Sequence, residues 1–434
     1  MTEITRFAPS PTGRLHVGNL RAALHNWLWA RKNGGTFVLR IDDTDLTRSE
    51  ERFVDAIRSD LAWFGLTVDR EERQSKRFEL YEREFARLRD AGRVYACYET
   101  SEELDLRRKV LLGRGLPPVY ERKPADAPVP DGVAPHWRFK LDHAAPIEWL
   151  DLIRGPQHFD PAKLSDPVIR RADGSWLYLL PSAIDDVDMR VTTVVRGEDH
   201  VSNTALQLQM FAALGAEPPK FAHEALLTGT EGKLSKRLGS VDCDALRDDG
   251  VEPLALAALL AHLGTSDAVE PVVSLQPLID GIDFSRFGRA PARFDLAELQ
   301  ALNAKTLHAL PFADVASRVA TDEATWLAIR PNLTRLDDAH DWLAVIAGPI
   351  DAPIAADDAE YLAEAARVAA TINWSGDPWH ALTGALKEST GRKGKALFMP
   401  LRLALTGKEH GPDMAALLPL IGRERALARL GMGA

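Results

Sequence analysis

The sequence predicts an α/β fold, a parallel sheet with an α/β insertion, followed by an all-helical C-terminal half. Three observations carry that reading. Residues 4–45 pass from strand to helix to strand period within about forty positions, which is a βαβ unit. Between roughly 80 and 190 short strands and turns replace this rhythm. From about 295 to the end the apolar residues keep helical spacing, with polar turns and no clear strand.

Composition agrees with a folded chain. The 434 residues are enough for two to four domains, each burying its own core. A hydrophobic fraction of 45% beside 27% charged residues excludes a disordered polymer. The formal net charge of −10 argues against a protein that coats itself in nucleic acid, though a local basic face is compatible with it. No apolar run has signal length or approaches about 18 residues, so a cytoplasmic protein without membrane contact is expected. Cys97 and Cys243 suit a reducing compartment and cannot by themselves supply a zinc cluster.

The organising stretch is Arg6–Asn19, RFAPSPTGRLHVGN. A strand ends at Phe7 and Ala8, and Pro9, Pro11 and Gly13 break the pattern. Leu20, Leu24, Trp27 and Leu28 then recur at helical spacing, so a helix begins near His16. Unpaired N–H groups and the positive end of the dipole make that terminus a seat for phosphate. His16 offers a donor there, and Gly18 a close approach free of side chain. Gly34-Gly35 stops the helix, and Thr36–Ile41 is a second strand ending at Asp42-Asp43-Thr44-Asp45. Both motifs lie at carboxyl ends of strands, where such sheets bind ligands. The carboxylates could equally cap the next helix, through Phe53, Ile57, Leu61 and Phe64.

A helix follows through Phe78, Tyr81, Phe85 and Leu88, stopping at Gly92, and Val94–Tyr98 reads as a strand. Leu116–Pro135 is mostly loop. Trp137–Leu141 alternates as a strand, and Asp151–Phe159 and Ile169–Leu180 continue in short strands with turns at Gly155-Pro156 and Asp173-Gly174. Val191–Arg196 is a β-branched strand running into Gly197-Glu198-Asp199-His200, and Thr204–Leu214 is helical. Residues 226–240 give a strand and a basic loop. Leu254–Leu263, Leu296–Leu302, Tyr361–Ala370 and Ala415–Leu430 are all helical.

HVGN at 16–19 resembles the HIGH signature of class I aminoacyl-tRNA synthetases. With RFAPSPTG before it and RIDDTD at 40–45, it looks like the glutamyl and glutaminyl branch. KLSKR at 233–237 resembles the KMSKS signature, about 220 residues further on and after a strand. Lysines bracketing a serine can hold β- and γ-phosphates as charge builds on leaving pyrophosphate.

The resemblance implies a class I synthetase Rossmann-like sheet, its halves at 1–80 and 191–232. It also implies an acceptor-end-binding insertion at 81–190, a KMSKS loop and stem-contact helical domain at 233–310, and an anticodon-binding domain at 311–434. The implied reaction joins L-glutamate to ATP, with Mg²⁺ on the phosphates, and transfers it to tRNA(Glu), with tRNA(Gln) as a further acceptor. His16 and Lys236 would be catalytic, and Gly18, Asn19, Asp199, Lys233 and Ser235 would join them on ATP. Arg6, Tyr178 and Arg196 would face the substrate carboxylates, with Ala8, Ser10, Asp42 and Ser182 completing the glutamate site. Guanidinium groups are what an acidic substrate requires.

The family usually has RIEDTD, so Asp42 is one methylene short, and Ser182 stands where many relatives have asparagine. Some relatives hold zinc in the insertion. Here Tyr95–Tyr98 supplies one thiol and Pro117–Tyr120 none, so no zinc is expected. Glu388–His410 carries Arg392, Lys393, Lys395, Arg402 and Lys408 against Glu388 and Glu409. Arg392, Lys393 and Lys395 are the candidate tRNA contacts, and a monomer is expected. A glutaminyl enzyme fits less well, because a neutral amide leaves a desolvated guanidinium unpaired. No G-x-x-x-x-G-K-[ST] or G-x-G-x-x-G follows the first strand, which disfavours P-loop and dinucleotide-binding folds.

Overall fold

The computed structural model describes residues 2–124, 128–229, 232–233, 242–352 and 355–432. They fall into two compact units, one of Met1–Leu246, Ala257–Glu270 and Ser274–Asp295, the other of Arg247–Leu256, Pro271–Val273 and Leu296–Ala434.

The first unit opens with β1 (Ile4–Phe7), α1 (Val17–Lys32) and β2 (Thr36–Ile41), the foreseen βαβ unit. β1 and β2 pair in parallel, with Arg6 opposite Val38. The turn between α1 and β2 passes so close to β1 that a Cβ on Gly35 would lie 2.2 Å from the Glu3 carbonyl oxygen. Glycine is therefore required there.

α2 (Glu51–Trp63) has Glu50 as N-cap residue and no side-chain cap. The acidic run does not cap it. Asp45 closes its own turn by accepting from the Thr47 hydroxyl at 2.7 Å, and Asp43 accepts from the Ser75 N–H at 2.8 Å.

β3 (Arg70–Arg73) extends the sheet in parallel beyond β2, a strand of four charged residues with no apolar alternation to announce it. At a sheet edge such side chains reach water and discourage further pairing. α3 (Phe78–Asp90) and β4 (Val94–Cys97) follow as expected, then α4 (Ser101–Gly113), started by a Thr100/Glu103 capping box.

β5 (His136–Phe139), β6 (Ile147–Asp151), β7 (Gly155–Phe159) and β8 (Val168–Arg170) complete the insertion. β4, β5 and β8 form a three-stranded antiparallel sheet. β6 and β7 are a hairpin whose register sets Asp151 opposite Gly155, so Gly155 and Pro156 lie in the strand and the turn precedes them.

Leu179–Asp188 is a helix, α5, whose first two residues fall in the stretch Ile169–Leu180 expected to continue in short strands. The apolar run Trp176–Leu180 has no period to separate the two, and Pro181 is tolerated because it falls in the first helical turn. β9 (Thr193–Gly197), α6 (Val201–Leu214) and β10 (Lys220–Glu224) close the main sheet, in the order β3-β2-β1-β9-β10-β6-β7. Every pairing in it is parallel except the β6–β7 edge. A second small sheet joins β11 (Leu227–Gly229), β12 (Gly232–Lys233) and β13 (Ala292–Arg293). Tyr81, Phe85, Phe139, Val194, Phe211 and Phe221 share one core beside the main sheet.

The second unit is helical throughout its described residues, as the period predicted. Its core surrounds the fully buried Trp326 with Leu307, Leu333, Leu382, Leu401 and Leu417. The reading of 415–430 as one helix is divided at Gly422, whose φ of +80° ends Met414–Ile421 and lets Arg423–Leu427 start anew. No helix among the described residues is long and apolar enough to cross a membrane.

Candidate active site

A cavity of about 730 Å³ opens at the carboxyl ends of β1, β9 and β10 in the first unit. Its wall takes Arg6 and Ala8 from β1, His16, Gly18 and Asn19 from the start of α1, and Arg196, Asp199 and His200 from the end of β9. Tyr178, Glu224 and Leu226–Thr228 complete it. A parallel sheet binds ligands at this edge.

His16 is the N-cap of α1. Its Nδ1 accepts from the backbone N–H of Gly18 at 3.0 Å and of Asn19 at 3.4 Å, and Asn19 Oδ1 accepts from the His16 N–H at 3.3 Å. The helix end is therefore closed by its own cap, not open as the sequence suggested. With Nδ1 accepting, the ring proton sits on Nε2. Burial lowers the His16 pKa, so the ring acts as a neutral donor. A Cβ on residue 18 would lie 2.9 Å from His16 Cε1, which explains the glycine.

Lys233 is described only through its backbone, which pairs with Thr228 in β12, while Ser235 and Lys236 lie outside the described residues. The flanks of that segment do reach the cavity: Thr228 is in its wall, and Asp242 forms a β-bridge with His16.

Arg196 is buried at the other end of the cavity. Its Nη1 donates to Tyr178 Oη at 2.8 Å, its Nη2 to Thr204 Oγ1 at 2.6 Å and Gln207 Oε1 at 2.9 Å, and its Nε to His223 Nε2 at 3.3 Å. Every one of these acceptors is neutral. Burial lowers the Arg196 pKa, with Arg6 and Arg40 pushing the same way and Tyr178 and Asp186 pulling against them, so a bound anion would relieve the site. Arg6 shares the cavity, with its Nε 3.3 Å from Asp186 Oδ1. Burial, with the charge of Arg196, drives His200 down to about 4 and keeps it neutral.

Three predicted residues stand outside this wall. Ser10 is exposed and lines no part of the cavity. Asp42 and Ser182 lie behind Arg40, which does line it. Both Asp42 oxygens accept from Arg40, at 2.6 and 3.0 Å, and Ser182 Oγ accepts from it at 3.1 Å. Burial pushes Asp42 up to about 6 against the pull of Arg40. Their visible role is to hold Arg40. Arg40, His200 and Glu224 were missed, although a lone arginine inside the apolar strand TFVLRI was a usable signal.

In the insertion, Cys97, Glu99 and His136 bring their ligand atoms within 4.8 Å of one another. In the second unit, Lys393 and Lys395 are exposed, whereas Arg392 ion-pairs with Asp358 at 2.6 Å and stacks 4.3 Å from the Tyr361 ring. Phe398 is 45% exposed, an aromatic surface the charge count did not reveal.

A parallel sheet closed over by HVGN, with a neutral capping histidine and a buried guanidinium whose hydrogen-bond acceptors are all neutral, is the arrangement of a class I aminoacyl-tRNA synthetase. The family model described as tRNA synthetases class I (E and Q), catalytic domain, matches residues 4–301, and that of an anticodon binding domain matches 312–434. The chain belongs to this glutamate and glutamine branch of the class I synthetases. It is 70% identical over 433 residues to glutamate–tRNA ligase 2 of Sphingopyxis alaskensis, covering 99% of each chain. It is 65% identical to glutamate–tRNA ligase 1 of Rhizorhabdus wittichii, over 98% of each. A crystal structure of a glutamate tRNA ligase from Elizabethkingia meningosepticum in complex with its amino acid superposes with a TM-score of 0.83 at 26% identity, covering 100% of this chain and 99% of that one.

Proposed function

We propose that this chain is a glutamate–tRNA ligase that activates L-glutamate with ATP and transfers it to the 3′-terminal adenosine of tRNA(Glu). The observation that carries the choice of an acidic substrate is Arg196, a buried guanidinium lining the cavity and held only by neutral acceptors. A carboxylate completes it, whereas an amide would leave the charge desolvated without a counterion.

The glutamate α-carboxylate attacks the α-phosphorus of ATP, a new P–O bond forms, and the bond to the bridging oxygen breaks to release pyrophosphate. The 2′-hydroxyl of the terminal adenosine then attacks the acyl carbon, and AMP leaves with the bonding electrons. His16 Nε2–H, Gly18, Asn19 and Asp199 serve the nucleotide. Lys233, Ser235 and Lys236 serve the phosphates, with Mg²⁺ neutralising phosphate charge when bound. Arg6, Tyr178 and Arg196 serve the acids, Ala8 the amino-acid head, and Asp42 and Ser182 act through Arg40. Catalysis of this kind is positioning plus charge stabilisation. In this reading 81–190 binds the acceptor end and 311–434 the anticodon arm, and the enzyme is a cytoplasmic monomer with tRNA(Gln) as a second acceptor to be assayed. Glutamate-dependent pyrophosphate exchange, run with and without tRNA, tests it; exchange driven equally by glutamine would overturn the choice of substrate.

We also infer that the enzyme works without zinc. Glu99 Oε2 and His136 Nε2 are buried without a hydrogen-bond partner, which favours a cation. Against that, burial raises the Cys97 thiol pKa, and Tyr120 Oη donates to both Cys97 Sγ and Glu99 Oε1. The Lys123 ammonium, 3.2 Å from Glu99, already supplies positive charge. Elemental analysis of protein purified without an affinity tag should find less than about one zinc per ten chains, since three donors fall short of the usual four; a stoichiometric signal refutes this.

A further inference from the structure

Behind Arg196 lies a second pair of buried groups that no feature of the sequence announced. His223, on β10, and Asp151, at the end of β6, are both shut off from solvent. Asp151 Oδ1 accepts from the backbone N–H groups of Ile153 at 3.0 Å, Arg154 at 2.9 Å and His223 at 3.2 Å. Its Oδ2 contacts His223 Nδ1 at 2.5 Å. A carboxylate with so many donors stays ionised, so the proton between the two belongs to Nδ1. His223 Nε2 is then a lone pair, and it faces Arg196 Nε at 3.3 Å and Thr204 Oγ1 at 2.8 Å.

The surroundings keep the ring in that tautomer. Phe221 stacks 5.9 Å from it at 13°, and Trp149 meets it edge-on at 6.5 Å, so it cannot readily turn over. The charged groups near it are Asp151 from β6, Arg154 from the β6–β7 turn and Arg196 from β9. Arg154 is itself paired with Glu198. Burial and the two arginines oppose a second proton on the ring, and Asp151 favours one; the net effect is a lowered pKa.

We propose that Asp151 and His223 are positioning residues: by presenting Nε2 as an acceptor they hold Arg196 without neutralising it, and so set the preference for a carboxylate over its amide. A carboxylate in place of His223 would satisfy Arg196 and cancel its charge. A histidine with its proton on Nε2 would point an N–H at an N–H and displace the guanidinium. The proposal rests on the reading of the cavity as a glutamate site.

Three variants test it through pyrophosphate exchange with tRNA present, using glutamate and glutamine separately. Asp151→Asn keeps an oxygen for the backbone N–H groups but offers an N–H to Nδ1, which moves the ring proton to Nε2. Its KM for glutamate should rise at least about tenfold while its KM for ATP stays within about twofold, because a wrong tautomer disturbs what the ring orients. His223→Asn reaches Asp151 but not Arg196 and should behave like Asp151→Asn. His223→Gln can place an oxygen near Nε2 and should stay within about threefold of the parent. The ratio of glutamate to glutamine kcat/KM should fall in the first two variants and hold in the third.

An unaltered KM for glutamate in Asp151→Asn, parallel changes in both KM values, or equal damage in His223→Gln and His223→Asn would each overturn the proposal. If one variant fails to fold, the other two still decide. A parent enzyme with no glutamate-dependent exchange sinks the ligase reading itself; normal parent exchange with indifferent variants sinks only this inference.

Discussion

Arg196 shows how much of the chemistry can rest on what a side chain lacks. Its donors meet a phenol, a hydroxyl, an amide and an imidazole, so the positive charge is oriented but not spent. Its identity was readable in VVRG, at the end of a β-branched strand, but its acceptors come from the start of α5, from α6 and from β10, and no spacing connects them. His200 belongs to the same field. Its pKa lies at about 4 in the fold against 6.5 for the free side chain, so the unfolded chain takes up the proton first as pH falls. The sign follows: the His200 contribution to stability is lost as pH falls from about 6.5 to 4, while Asp42, raised to about 6, contributes in the opposite direction over part of that window. His200→Gln should flatten that part of the curve, which denaturant unfolding at pH 7, 5.5 and 4 measures. An unchanged slope would mean that neither burial nor the positive field of Arg196 and Arg6 holds the ring neutral.

At the scale of elements, the end of the cavity proposed for the nucleotide is one helix start. His16 and Gly18 work as a pair, since the imidazole occupies the space a side chain at 18 would need. Gly18→Ala should therefore displace the ring and lower kcat/KM for ATP by about tenfold or more, while melting stays within about 1 kcal/mol of the parent because alanine suits a first helical turn. A comparable loss against glutamate alone would contradict this. α1, α2 and α3 were legible because each buries an apolar face with helical spacing. β3 and β10 were not: REER has no apolar alternation, and KFAHE carries His223 and Glu224 inward. The start of α5 was misread for the opposite reason, since the apolar run WLYLL that leads into it hides its period.

At the scale of the whole molecule, the chain divides its work between a sheet-based unit and a helical one, each with its own core. The sequence showed that division through the loss of strand period, yet it could not say which cations in 388–410 were free. Arg392 is committed to Asp358 and Tyr361, whereas Lys393, Lys395 and Phe398 are exposed. Lys393→Glu with Lys395→Glu should weaken tRNA binding and reduce the slope of log K against log salt by roughly 0.7–0.9 for each phosphate the protein no longer neutralises. Filter binding at three salt concentrations measures both; a slope equal to that of the parent would place the anticodon arm elsewhere.

His223 and Glu224 are neighbours on a pleated strand, and so they serve opposite faces of the sheet: the imidazole turns to Arg196, while the carboxylate turns to His25 and Arg21. Slipping β10 by one residue toward its start would turn Glu224 to the face of Arg196, delivering a built-in anion to the guanidinium we propose as the carboxylate's partner. On that reading the cavity would then be occupied by the chain's own side chain, which makes the number of residues between α6 and β10 count toward specificity as much as any residue in the cavity wall.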